Sequence, residues 1–359
     1  MTSELPFDLE LLRELTSACG PVGYEDEVRE IVRRELEANT DEVVSDAMGN
    51  VVGTIHGDAD YAVVVAAHID EWGWMVERVT DEGFLKLKIL GGTNPFTARS
   101  QRVTVRTSDG ESLLGIIGAV PPHMLGNDEL DKRPSEPRQA VWDVEDVYVE
   151  LGLDAEAARE VVSPGDVVTL EQETVVMGDH VTGKAFDNRA LVFAMLEAAR
   201  RIEEPDVTIQ FAATVQEEVG LRGAEALATD LDPDLAIALD VTIANDQPYF
   251  DDDPIAEAGE GTAIKVMDHT SLTNPKVNDR LRAVADDRGI PYQLEIQSSG
   301  GTDAGAFQTV HGAKPVGAIL LPTRNIHSDT ASAHVDDVSA TIDLLAAFLE
   351  TETGDDYVR

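Results

Sequence analysis

Positive charge is scarce in this sequence. Its 359 residues hold 27 Lys and Arg against 69 Asp and Glu, for a net charge of −42. Only seven of the basic residues are Lys (Lys86, Lys88, Lys132, Lys184, Lys265, Lys276 and Lys314). Phosphate contacts need clustered Lys and Arg, so a nucleic-acid partner is not expected. Cysteine is nearly absent. Cys19 is the sole thiol, which excludes an intramolecular disulfide and a thiolate-rich metal site. It reads as a small buried apolar residue. No run of 18 or more apolar residues occurs, so no membrane span is expected. The opening MTSELPFDLELLRELTSACG lacks the basic segment and apolar stretch of a secretory signal, and a cytoplasmic protein is expected. There is no internal repeat and no low-complexity tract.

Hydrophobic residues make up 43% of the chain, enough for a sizeable core, and the length suits two domains. The acids are spread along the chain rather than gathered in a tail. They read as a solvated surface suited to molar salt, because so large a net charge repels itself in dilute buffer. Apolar runs at 61–68, 207–214, 235–240, 263–267 and 315–322 predict buried strands. Helix-period stretches fall at 7–18, 25–38, 187–202, 275–288 and 336–350. The fourth has Asn274 as cap, Pro275 at its first position and Gly289 at its stop, and Asp336 opens the last. Strands alternating with helices predict an α/β fold with a mostly parallel sheet flanked by helices. From about 72 to 170 the pattern changes. FLKLKIL, RVTVRTSDG, LLGIIGAV and GDVVTLE are short β-like pieces, and a Pro-rich acidic loop lies around 121–139. We therefore expect a discontinuous α/β domain, 1–69 and 165–359, with a small all-β domain, 70–164, inserted into it.

Five segments carry a metal-capable residue near a predicted strand end or helix start. In AAHIDEWGWMV, His68 and Asp70 share a face of extended chain. A carboxylate there can fix the imidazole tautomer while the other ring nitrogen binds a metal. Asp187, in GKAFDNRALVFAMLEAAR, begins a strong helix and reads equally as its cap. In TVQEEVGLRGAEAL, Glu217 and Glu218 follow an apolar strand. Adjacent carboxylates there are costly unless they hold a cation or a proton, or are fully solvated. Asp240 closes LAIALD and reads equally as a turn former. His327, in PTRNIHSDTASAH, follows another strand; His334 reads as surface. Each signal is weak alone. Together they place two His, two Asp and Glu residues at strand ends, where open α/β sheets bind ligands. Oxygen and nitrogen donors without Cys suit zinc, cobalt or manganese.

The ordered motifs GPVGYEDEVREIV (20–32), HIDEWG, PGDVV (164–168), GKAFDNRA, QEEVGLRGA, SSGGTDAGA (298–306) and TRNIHS (323–328) span nearly the whole chain. In that order they resemble the tetrahedral (TET) aminopeptidases, a family of two-metal peptidases that includes proteins named glutamyl and deblocking aminopeptidase and, historically, endoglucanase. The resemblance implies a zinc-peptidase-like fold, and two divalent ions per subunit, zinc or cobalt. His68 and Asp240 resemble ligands of one ion, Glu218 and His327 ligands of the other, and Asp187 the bridging carboxylate. Glu217 resembles the general base and Asp70 the orienter of His68. The loop from Gly300 to Ala304 resembles one that shapes the substrate side. The insert is implied to be a dimerisation domain, with six dimers forming a hollow tetrahedral dodecamer that admits oligopeptides. Asn325 stands where the family often has an aromatic, and Ala190 where it often has Gly, so substrate preference does not carry over.

The expected reaction is removal of N-terminal residues from peptides, by a water from which Glu217 takes the proton. Three rivals stand beside it. A carboxypeptidase or deacylase would use the same metals. A metal-free glycoside hydrolase would need two carboxylates roughly 5–9.5 Å apart and would leave His68 and His327 idle. A shell-forming scaffold without activity would not need the ligand set.

Overall fold

The wholly apolar runs of the sequence become the central strands of one sheet. β3 (Ala62–His68), β12 (Thr208–Thr214), β13 (Leu235–Ile243) and β16 (Val316–Arg324) lie in the order β12–β3–β13–β16, and all three pairings are parallel. Both faces of these strands are covered, which is why they read as unbroken apolar runs. Alternation decides which residue faces which layer. Val63, Val65, Ile237, Leu239, Ile319 and Leu321 join one core cluster; Val64, Ala66, Ala236, Ala238 and Ala318 join the other. The face of large side chains packs against α1 (Leu9–Ser17), α2 (Asp26–Asn39), α4 (Phe186–Ala199), α6 (Pro275–Arg288) and α8 (Val335–Thr351). The face of small ones takes α5 (Arg222–Asp230) and the short α7 (Ala304–Gln308). In α4, 13 residues are buried, so it is apolar almost all round and lies at the centre of its layer.

The structure is a computed structural model and describes residues 5–93, 97–119, 123, 147–250 and 253–358. Apart from His123, the Pro-rich loop read at 121–139 lies outside the described residues. Two compact units emerge: Met1–Glu71 with Glu173–Arg359, and Trp72–Gln172. Among the described residues no helix is long and apolar enough to cross a membrane.

The larger unit corrects one expectation. Beyond the parallel centre, β1 (Glu42–Ser45) and β2 (Val51–Ile55) add antiparallel strands on one side. β17 (Ala331–His334), β11 (His180–Gly183) and β10 (Val175–Met177) do so on the other. β14 (Thr262–Met267) runs antiparallel to β16 and parallel to β15 (Tyr292–Ile296). The sheet is therefore mixed rather than mostly parallel. Helical crossovers demand parallel partners only in the middle, whereas three- to five-residue edge strands need only short returns.

The smaller unit is a closed barrel, ordered β4 (Gly73–Val79), β5 (Leu85–Leu90), β8 (Tyr148–Glu150), β7 (Ser112–Ile117), β6 (Arg102–Arg106) and β9 (Val167–Leu170). Closure removes the edges that strands this short would otherwise expose. Its core gathers Trp72, Trp74, Val105, Val149 and Val168, with the two indoles edge to face at 5.1 Å. The α3 helix (Ala155–Val161) is capped by Asp154, which accepts from the N–H groups of Glu156 and Ala157. The boundaries differ from those read at 70–164. Asp70 and Glu71 belong to the larger unit, and 165–172 to the barrel, because β9 closes the ring by pairing with both β4 and β6.

Candidate active site

The site lies wholly within the larger unit and is built at the carboxyl ends of its central strands. His68 ends β3. Glu217 and Glu218 form a single 3₁₀ turn, Glu217–Val219, just after β12. Asp240 was expected to close its strand but lies inside β13, which runs on to Ile243. His327 follows β16, and Asp187 stands in the first, irregular turn of α4. Adjacent strand ends thus deliver groups from widely separated stretches of chain to one place.

Asp187 is the hinge of the arrangement. Its Oδ1 lies 3.2 Å from Nε2 of His68, and its Oδ2 lies 3.2 Å from Nε2 of His327. Nε2 of His68 is also 3.9 Å from Asp240 Oδ1, and Nε2 of His327 is 3.9 Å from Glu218 Oε1. Two trios result, His68–Asp187–Asp240 and Asp187–Glu218–His327, each with donor atoms within 4.8 Å of one another. Tetrahedral ligands at roughly 2.0–2.1 Å from a zinc ion lie about 3.4 Å apart. Both trios therefore fit a small divalent cation, and their nitrogen and oxygen donors suit zinc, cobalt or manganese.

The electrostatics agree. Burial raises the carboxyl of Glu218 to about 7, reinforced by Asp187, while His327 opposes the rise. Burial likewise pushes Glu217 and Asp240 well above the carboxylate range, with neighbouring acids adding to it. Burial acts on Asp187 too, but the two imidazoles outweigh it and hold the group below its ordinary value. For His68 burial favours the neutral ring, yet Glu217, Asp187 and Asp70 together push it well above its usual value. So many acids in one buried place cannot all be charged without a cation.

Asp70 does something its position in the sequence did not disclose. Its backbone carbonyl lies 3.2 Å from His68 Nδ1, and its carboxylate Oδ1 lies 3.5 Å from the same nitrogen. The two carboxylate oxygens also accept the backbone N–H groups of Glu217, at 2.9 Å, and Glu218, at 3.1 Å. Asp70 is wholly buried and thus fastens the Glu–Glu turn. Other residues missed in the sequence serve the same frame. Arg189, fully buried, donates to the carbonyls of Leu15, Gly20 and Ile69, tying α4 to the segment that bears His68 and Asp70. Lys184 is paired with Glu71 in the interior at 2.7 Å. Asp303 accepts from Thr214 Oγ1 at 2.6 Å, and burial raises its carboxyl to about 6. A buried Arg beside the Asp187 motif was a readable signal. The others depend on partners too distant in sequence to be read.

Ala185, Gln216, Leu221, Asn325 and His327 all have left-handed backbone, with φ between 54° and 58°. Each such non-glycine residue costs roughly 1–3 kcal/mol, and such strain gathers at functional sites. Asn325 is a residue type that tolerates this conformation. A cleft of about 620 Å³ opens over the two trios. Gly300, Gly301, Leu221, Ile243, Lys265 and Gln297 also line it. His334 has another task, capping α8 by accepting from the N–H of Asp336.

A profile of the M42 glutamyl aminopeptidase family matches residues 49–344, a span that contains both trios, Glu217 and Asp70. The chain belongs to that family. It is a peptide hydrolase. The lysyl aminopeptidase of Pyrococcus furiosus is 31% identical over 352 residues, covering 96% of this chain and 97% of that one. The glutamyl aminopeptidase of Lactococcus lactis is 32% identical over 327 residues, 88% of each chain. Among solved structures, an aminopeptidase from the archaeon Desulfurococcus kamchatkensis matches with a TM-score of 0.89 at 35% identity, over 96% of this chain and 95% of that one. The TET1 peptidase of Pyrococcus horikoshii, which can assemble into a tetrahedron or a large octahedral shell, matches with a TM-score of 0.84 at 30% identity, over 96% and 99%. Membership of this family bears out the resemblance read from the motifs.

Proposed function

We propose that this M42 family member is a two-metal aminopeptidase that removes residues one at a time from the free N-terminus of oligopeptides. The observation that carries the reading is Asp187, whose two oxygens each face a different imidazole at 3.2 Å. Such a carboxylate is placed to bridge two ions, with His68 and Asp240 holding one and Glu218 and His327 the other. Zinc or cobalt, bound there, would acidify the attacking water and polarise the scissile carbonyl. Glu217 reaches into the same cleft without belonging to either trio. It takes the proton from the attacking water and returns it to the leaving amine. Asp70 steadies both the His68 ring and the turn that carries Glu217. The carboxylates that line the cleft are the natural partners for the substrate's α-ammonium group. The idle-histidine geometry of a metal-free glycosidase fits poorly, since both imidazoles converge on one carboxylate. By family likeness the barrel serves dimerisation, and six dimers build a closed dodecamer.

Purified protein in molar salt, assayed on a panel of aminoacyl amides and peptides, tests the reading. Exhaustive chelation abolishes hydrolysis and zinc or cobalt restores it. N-acetylation of a good peptide stops cleavage, whereas C-terminal amidation does not. Full activity in metal-free protein, or internal fragments from N-blocked peptides, refutes the assignment.

A further inference from the structure

The Glu217–Glu218 turn sits on a closed loop whose neck is pinched shut by a residue outside the cleft. The backbone N–H of Gly223 donates to the carbonyl of Val215 at 3.0 Å, and Arg222 donates to Gln216 at 3.3 Å. Into this neck projects Asn50, which is completely buried. Its Oδ1 accepts the Val215 N–H at 3.0 Å, and its Nδ2 donates to the Gly223 carbonyl at 3.1 Å. The same Nδ2 donates to Asp46 Oδ2 at 2.6 Å. Asp46 is itself locked, since its Oδ1 accepts the N–H groups of Met48, Gly49 and Asn50. The amide orientation is therefore forced: a donor must be met by oxygen on the Val215 side, and two acceptors by nitrogen on the other. No carboxylate, hydroxyl or apolar side chain of this size satisfies both sides.

The neck admits little else. A Cβ on Gly223 would stand 2.3 Å from the Val215 carbonyl oxygen and 2.5 Å from Asn50 Oδ1. Within the loop, Gln216 and Leu221 hold left-handed φ values of 55° and 56°. Strained backbone of this kind persists only where its surroundings over-determine it. Asp70 holds the loop at its middle and Asn50 at its two ends.

We propose that Asn50 is a positioning residue for the hydrolytic site, closing the 215–223 loop so that Glu217 and Glu218 present fixed carboxylates to the cleft. This rests on the two-metal aminopeptidase reading. The side-chain hydrogen bonds of Asn50 go to Asp46, Val215 and Gly223, none of them a proposed ligand, and Asn50 does not line the cleft. It acts through the loop, which it holds by hydrogen bonds at Val215 and Gly223. Groups that hydrogen-bond a metal ligand directly are commonly worth about 10–100-fold in activity or metal affinity. Asn50 acts one step further out, through the backbone of the loop that carries Glu217 and Glu218.

The test uses the full chain, reconstituted with zinc or cobalt in molar salt. Asn50→Asp keeps the shape and the acceptor for Val215 but sets an oxygen against the Gly223 carbonyl and the Asp46 carboxylate. Asn50→Ser removes both contacts without adding charge. For each, kcat, KM, metal per chain, melting temperature and peptide-resolved hydrogen exchange are measured well below the melting temperature. The expected result is a folded variant with kcat lowered about 10–100-fold, KM within about threefold, and faster exchange confined to the 215–223 loop. Excess metal restores occupancy but not kcat. A purely structural role would lower the melting temperature alone. A folded, metal-replete variant with kcat near that of the parent overturns the proposal. Should neither variant fold, the parent decides: its Val215 amide must exchange slowly, and rapid exchange there overturns the proposal. If the parent hydrolyses no aminoacyl amide, the functional reading fails instead, while loop exchange and metal occupancy still judge Asn50.

Discussion

Glu217 and Glu218 are neighbours with the same side chain and different proposed tasks. Glu217→Gln keeps size and hydrogen bonding but removes the basic oxygen. It should retain both metals and the fold while kcat drops roughly 10²–10⁴-fold. Glu218→Gln should instead weaken one metal, with partial rescue by excess ion. Metal stoichiometry measured beside kcat separates the two; metal loss in Glu217→Gln alone would show the pair reversed. Titration gives a second test. In metal-free protein the Glu218 carboxyl is raised to about 7 by burial, above its ordinary 4.5. The native state therefore holds a proton that the unfolded chain releases first. Its contribution to stability is complete below about 4.5 and fades as pH rises through 7. Chelation should thus lower the melting temperature more at pH 7.5 than at pH 5, and equal losses at both would contradict this. At this scale the sequence was readable where chemistry is distinctive. Singly, Asp187 read as well as a helix cap and Asp240 as a turn former. His68, Asp187, Asp240 and His327 stood out only as a set, through their recurrence at strand ends and helix starts and through the order of their motifs. Asn50 could not. An Asn after Gly reads as a turn former, and its partners, Val215 and Gly223, lie more than 160 residues away.

Among the elements, legibility followed burial. The central strands announced themselves because both faces need apolar residues, and α6 matched its expected limits because Asn274, Pro275 and Gly289 each have a specific backbone duty. β1, with EVVS, and β10, with three exposed residues, bury too little to leave a pattern. Those missed edges are why the sheet was read as mostly parallel. The α6 cap also carries a measurable expectation. Asn274 Oδ1 accepts the Lys276 N–H at 2.9 Å, and its Nδ2 donates to the Tyr357 carbonyl at 2.6 Å. Asn274→Ala loses both and should cost about 1–2 kcal/mol in denaturant unfolding, with kcat unchanged in the folded protein. A change below about 0.3 kcal/mol would mean that neither contact stabilises the native state.

For the whole molecule the dominant number is the net charge of −42. Bringing many such chains together concentrates repulsion that only high ionic strength screens, over a Debye length of about 3 Å at 1 M salt and about 10 Å at 0.1 M. The proposed dodecamer should therefore dissociate, and activity should follow, as salt falls from molar to about 0.1 M. Light scattering that finds an intact particle in dilute buffer would overturn this.

The order of the central strands has a consequence for the life of the chain. In space they run β12–β3–β13–β16, while along the chain β16 comes last, and His327 lies just beyond it. A ribosome must thread residue 327 into the open before the last proposed ligand can join the others. A nascent or truncated chain ending before that point has Asp187 facing one imidazole instead of two. On the proposed two-metal reading, hydrolysis is thereby withheld until residue 327 has been made, and a fragment released earlier lacks one proposed ligand of its second metal.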